Sequence, residues 1–109
     1  MTTGLGHAQV WWADLDDDKV RPVIVLTRAR IADRLSRVLV APVTSTVRRI
    51  PTEVVVGRDE GVRAGSVVNL DNTQLLDVDR LLQLIGTVDP ARWPQFSEAM
   101  QRVMGCPRA

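Results

Sequence analysis

Arg21-Pro22-Val23-Ile24-Val25-Leu26 opens with a cation and a proline and continues as four apolar residues in succession. A strand with one wet face alternates apolar and polar residues, so an unbroken apolar run of this length predicts a strand buried on both faces. Proline fits its first position, where the missing N–H breaks no central ladder bond. Arg21 therefore stands at the entrance of a buried strand. Upstream, residues 9–15 (Gln-Val-Trp-Trp-Ala-Asp-Leu) are rich in β-formers and end at Asp16-Asp17-Asp18, which predicts a strand and a tight turn. Neighbouring residues of a strand point to opposite faces, so one of Trp11 and Trp12 belongs to the core and the other is free for a surface, an interface or a nucleobase.

Downstream, residues 28–37 mix charges with a few apolar residues and read as a connection too short for an independent helix. Residues 38–43 form the next strand, and the hydroxyl cluster Thr44-Ser45-Thr46 leads from it to the basic pair Arg48-Arg49. Residues 52–56 read as a strand, 57–65 as a charged turn containing glycine, and 66–70 as a strand ending at Asp71-Asn72. Residues 81–88 give one more strand, broken by Gly86. A helix follows, with Asp89 as N-cap, Pro90 at the first helical position and Trp93, Phe96, Met100, Val103 and Met104 as its apolar stripe, ending near Gly105. Three- and four-residue apolar spacing is what a helix docked on a sheet requires. The expected fold is mainly β with small α content: an SH3-like, barrel-like antiparallel sheet with a C-terminal helix.

A chain of 109 residues, 45% hydrophobic and 25% charged, fits one globular domain spanning 1–109. Its single cysteine, Cys106, gives neither an intrachain disulfide nor a cysteine metal cluster, which suits a reducing cytoplasm. No basic stretch followed by an apolar run opens the chain, and no apolar run approaches the length of a membrane span. A soluble, cytoplasmic protein is expected.

Net charge is only +1, but it is unevenly distributed. Between Arg21 and Arg49 seven arginines stand against one acid, Asp33, a local balance of +6 inside an otherwise acidic chain. Such a segment is the footprint of a polyanion-binding face, and equally of a solvated surface. Of the 14 basic residues 13 are arginine, which favours bidentate phosphate recognition.

The sequence lacks a phosphate-binding glycine loop, a dinucleotide fingerprint, a paired-histidine metal motif and a nucleophile elbow. His7, the lone histidine, lies beside Gly4 and Gly6 and is not expected to act as a base. Catalysis is left to Arg, Thr, Ser, Asp and Asn, with no metal and no cofactor. RNA cleavage by its own 2′-hydroxyl fits that inventory. The substrate carries the nucleophile, and the protein supplies donors to the phosphate oxygens and alignment, which an arginine fork and a threonine hydroxyl can provide. DNA, lacking the 2′-hydroxyl, would bind without being cut.

Val10-Trp11-Trp12-Ala13-Asp14-Leu15, Arg21-Pro22-Val23-Ile24-Val25-Leu26, Val40-Ala41-Pro42-Val43-Thr44-Ser45, Ser66-Val67-Val68-Asn69-Leu70-Asp71 and residues 81–86, in that order, closely resemble the MazF/PemK toxins of toxin–antitoxin systems. The resemblance implies a metal-independent endoribonuclease, a homodimer that cuts single-stranded RNA at short sequences and leaves 2′,3′-cyclic phosphate and 5′-hydroxyl ends. It implies a cognate MazE-like antitoxin whose acidic and apolar arm blocks Arg21. By the same likeness Arg21 matches the catalytic arginine and Thr44 the catalytic threonine. The alternatives are a rim salt bridge from Arg21 to residues 16–18 and a turn-capping role for Thr44.

Two departures limit the likeness. In many relatives a longer loop containing glycine and glutamate joins the first two strands over the RNA groove, whereas only residues 16–20 do so here. In the PemK/Kid branch an arginine and an aspartate near the fifth strand act as acid and base, and the matching positions are Asn69 and Asp71. Asp71 is thus a candidate proton acceptor or, with Asn72, a residue that satisfies turn amides. Trp12, Ser45, Thr46, Arg48, Arg49 and Asn69 complete the expected RNA-binding set. Two rivals stand beside this reading. One is a CcdB-like gyrase poison, whose Trp-Gly-Ile tail is absent here; the other is a non-catalytic RNA-binding module, favoured by the basic segment alone.

Overall fold

Val23, Ile24 and Val25 are each fully buried, and they are buried in two different places. They end β2 (Val20–Val25), which lies between β1 (Gln9–Asp14) and β3 (Arg37–Thr44). Ile24 joins Ala41, Val43, Val54, Val68, Leu70 and Phe96 in one core. Val23 and Val25 join Ala13, Val38, Val40 and Leu76 in another. An apolar core against each face is why this strand shows no polar alternation.

Residues 7–15, 19–28 and 36–105 are described by this computed structural model. The Asp16-Asp17-Asp18 turn, most of the 28–37 connection and Cys106 lie outside the described residues. Beyond β3 come β4 (Glu53–Val56), β5 (Ser66–Asn69), β6 (Gln74–Asp77) and β7 (Leu81–Thr87), and α1 (Trp93–Val103) closes the chain. The seven strands make one antiparallel sheet in the order β4-β5-β3-β2-β1-β7, with β6 also paired to β3. The mainly β fold with one C-terminal helix is thus the one expected. Among the described residues no helix is long and apolar enough to cross a membrane.

Several boundaries differ from the sequence reading. β5 stops at Asn69 because Leu70–Asn72 turns into a 3-10 helix, capped where the Asp71 N–H donates to Asn69 Oδ1 at 3.1 Å. β6 was not expected. It is four residues long, and only Leu76 is buried, so its pattern is weak; pairing with β3 from Arg37↔Asp77 to Val40↔Gln74 forms it. β7 runs unbroken through Gly86, and the irregularity lies instead in register shifts of the β1–β7 pair.

The start of the helix follows its sequence signals at one remove. Asp89 Oδ1 accepts the Ala91 N–H at 2.9 Å, capping a 3-10 turn over Pro90–Arg92 from which α1 continues. Phe96 and Ala99 are the buried members of its stripe, with Trp93, Met100 and Val103 packed beside them. Met104, expected in that stripe, is 62% exposed because the helix ends there and Gly105 turns away with φ 69°.

Candidate active site

β2 and β3 pair with Val23 across from Pro42 and Ile24 across from Ala41. The pairing ends at Val23 and Pro42, and Arg21 and Thr44 each lie two residues beyond it, an even offset that keeps both on the face of that pair. Both are half-buried at the end of the sheet, beyond the cores. They line one groove of about 510 Å3, with Trp12 from β1, Ser45 and Thr46 after β3, Gly61, Val62 and Arg63 after β4, and Ser66 of β5. Two of the lining residues are cationic and none is acidic. That charge balance suits a phosphodiester.

Arg21 also walls a second hollow of about 620 Å3, which it shares with Leu15, Pro42, Asp71, Asn72, Thr73 and Gln74. Arg21 thus belongs both to the hollow that holds the hydroxyl cluster and to the one that holds Asp71. Arg21 has no ion pair with any described residue, and the acidic turn that could supply one lies outside them.

Thr44 Oγ1 accepts the Thr46 N–H at 3.1 Å. The turn-capping role is therefore present, and it is compatible with chemistry. A hydroxyl that accepts from a fixed N–H still has its own O–H to donate. Asp71 is exposed, and its Oδ2 accepts from the Thr52 hydroxyl at 2.6 Å. The turn places this carboxylate in the hollow that Arg21 also walls.

The tryptophan pair divides as alternation requires. Trp11 packs against the second core and donates from Nε1 to Gln9 Oε1 at 3.0 Å, while Trp12 is 37% exposed in the groove. Asn69, expected to touch RNA, is instead 6% exposed and occupied in holding the Asp71 turn. Arg48 and Arg49 line neither hollow. Their main-chain N–H groups both donate to Glu53 Oε1 at 3.0 Å, and their side chains are exposed further along the loop. Arg37, also of the basic segment, is paired with Asp77 at 3.0 Å. His7 does not line the groove, and its ring stands edge-on to Trp93 at 4.0 Å.

Arg63 was missed by sequence reasoning, because nothing in a charged turn distinguishes an arginine aimed at a groove from a solvated one. Asn72 and Gln74 were missed for a similar reason, lying in and beside the unexpected β6. Among the described residues no three His, Cys, Asp or Glu side chains gather as metal ligands.

The sequence profile of the PemK-like, MazF-like toxins of type II toxin–antitoxin systems matches residues 7–104. Endoribonuclease MazF3 of Mycobacterium tuberculosis is 43% identical over 83 residues, covering 76% of this chain and 81% of that protein. The solved structure of M. tuberculosis toxin MazF-mt6 superposes with a TM-score of 0.85 at 38% identity, over 92% of this chain and 99% of that one. A mycobacterial endoribonuclease solved in complex with its cognate antitoxin superposes with a TM-score of 0.86 at 26% identity, over 97% of this chain and all of that one. With its fold, its ordered motifs and a profile match across nearly its whole length, the chain belongs to the PemK-like, MazF-like toxins of type II toxin–antitoxin systems.

Proposed function

We propose that this chain is a metal-independent, sequence-specific endoribonuclease of single-stranded RNA, acting as a homodimer in the cytoplasm, where it inhibits translation and growth until a cognate MazE-like antitoxin covers the groove. The observation that carries the reading is that Arg21 and Thr44 line one groove without acidic residues, while Asp71 lies in the adjoining hollow that Arg21 also walls. Arg21 and Thr44 both donate hydrogen bonds, and neither adds negative charge where a phosphorane would form. The named activity of MazF3 and the antitoxin bound to the mycobacterial relative support it.

In this reading the substrate's 2′-oxygen attacks the adjacent phosphorus as the bond to the 5′-oxygen breaks. The products are a 2′,3′-cyclic phosphate and a 5′-hydroxyl. Arg21 steadies two non-bridging oxygens through its fork, and Thr44 donates to the charge that develops. Asp71 accepts the 2′-hydroxyl proton, and a proton from solvent completes the leaving 5′-hydroxyl. Thr52 donates to one Asp71 oxygen, holding the carboxylate while the other oxygen is left to work.

Incubation with a defined RNA in EDTA, followed by mapping of both new ends, tests the reading. Cleavage to the stated ends supports it; intact RNA, or cleavage only after divalent metal is restored, overturns it. A gyrase-poisoning toxin would leave the RNA intact, and no observation on this chain favours that function.

Thr44→Val should lower kcat about 100-fold, the scale of one transition-state donor lost, while Thr44→Ser retains most activity. Equal rates for the two variants would leave Thr44 only its turn. Arg49→Gln, altered outside the groove, should weaken RNA binding a few-fold at low salt and leave kcat unchanged, as titration at several ionic strengths would read.

A further inference from the structure

The turn after β4 is built more rigidly than its length suggests. The Glu60 N–H and the Val62 N–H both donate to the Gly57 carbonyl, at 3.0 and 3.1 Å, and the Gly57 N–H donates to Glu60 Oε1 at 2.8 Å. Glu60 is only 4% exposed, and its other carboxylate oxygen meets Arg92 at 3.1 Å. Gly61 has φ 87°, where a side chain would be strained. A Cβ there would overlap the Ile85 carbonyl, and a Cβ on Gly86 would overlap the Glu60 carbonyl. The two backbones thus interlock at a pair of glycines, and Val62 is sunk in the first core. Arg63 follows directly. It is exposed, it lines the groove with Arg21 and Trp12, and it has no ion pair with any described residue.

A guanidinium with no ion pair among the described residues, on so firmly tethered a backbone, is suited to an anion. We propose that Arg63 is a second phosphate-binding cation, held at the groove by the Gly61–Gly86 contact and the Glu60–Arg92 pair, and that it takes the phosphate next to the scissile one while the intervening base lies on Trp12. This rests on the nuclease reading for its substrate and adds the subsite. Stacking on an exposed indole is tolerant of base identity, so Arg63 contributes affinity and register. It is a binding residue, and Gly86, Glu60 and Arg92 are positioning residues.

The test measures binding to a single-stranded RNA carrying 2′-O-methyl groups, which cannot be cut, across a range of salt. Arg63→Gln should make the dependence of log Kd on log salt shallower by about 0.7, the share of one phosphate on a single strand. On cleavable RNA it should raise KM by about 3–10-fold with kcat within about twofold, the pattern of binding lost equally from ground and transition states. Arg58→Gln, which removes a cation from the same turn but not from the groove, should leave the slope unchanged. Gly86→Ala and Glu60→Gln should each reproduce the Arg63→Gln slope, and the Arg63→Gln/Glu60→Gln double variant should be no worse in KM than Arg63→Gln alone. Should Gly86→Ala not fold, Glu60→Gln carries the positioning claim.

An unchanged slope for Arg63→Gln overturns the proposal, as does an equal change for Arg58→Gln, which would mean diffuse charge, or a collapse of kcat, which would place Arg63 at the reacting phosphate. A double variant with additive losses overturns the positioning role. If the unsubstituted protein binds RNA but cuts none, the nuclease reading fails while the slope still decides Arg63. No binding at all overturns both.

Discussion

Arg21→Ala should abolish RNA cleavage while leaving the protein folded. The loss should reach about 10^3-fold or more at saturating RNA, because a bidentate, charge-assisted pair of donors acts where the phosphorane's charge grows. Folding should change by no more than about 0.5 kcal/mol, the range of substitutions away from cores and buried pairs. Arg21 belongs to neither core, and it has no ion pair among the described residues. Arg21→Lys separates charge from geometry, since an ammonium keeps the former without the planar fork, and it should recover only part of the rate. Initial rates beside a urea midpoint read both halves. A near-normal rate for Arg21→Ala would refute the assignment, and lost rate with lost folding would move Arg21 from the chemistry to the scaffold.

Phe96→Ala should cost about 3–5 kcal/mol, the usual toll for emptying a large aromatic site. That is a large share of the roughly 5–15 kcal/mol by which a domain of this kind is stable. Phe96 is 1% exposed, is stacked on Trp93 at 5.2 Å, and lies in the core that joins α1 to β2, β3, β4 and β5. The guanidinium of Arg92 sits 5.9 Å from its ring centroid, so truncation also loosens that cation. The urea midpoint should fall with little change in slope. A loss under about 1 kcal/mol would mean that the helix can be shed without disturbing the sheet.

Particular residues show how much of this was readable beforehand. The apolar run from Val23 to Leu26 announced a strand between two cores, and Asp89-Pro90 announced the helix, because both signals are local. Arg21 and Thr44 were nominated by the resemblance to the MazF/PemK toxins, in keeping with their chemistry, and the pairing of two strands was needed to bring them to one groove. β6 escaped notice because its pattern has a single buried side chain, and partnership with β3 compensates for what its own residues lack. The capping role of Asn69 was not legible, because a polar residue at a strand end shows its bond to the Asp71 N–H only once the turn is formed. Arg63 stayed hidden because its turn packs on a strand far along the chain, Gly61 against the Ile85 carbonyl and Gly86 against the Glu60 carbonyl.

Arg92 has an effect beyond the turn it anchors. Its guanidinium donates to the Val55 carbonyl on β4, which closes one side of the sheet. A bare outermost strand offers its main chain as a template for any extended polypeptide, the route by which β proteins zip into fibrils. By occupying that carbonyl, a cation borrowed from the turn before the helix withholds one acceptor of this strand from any chain that would pair with it.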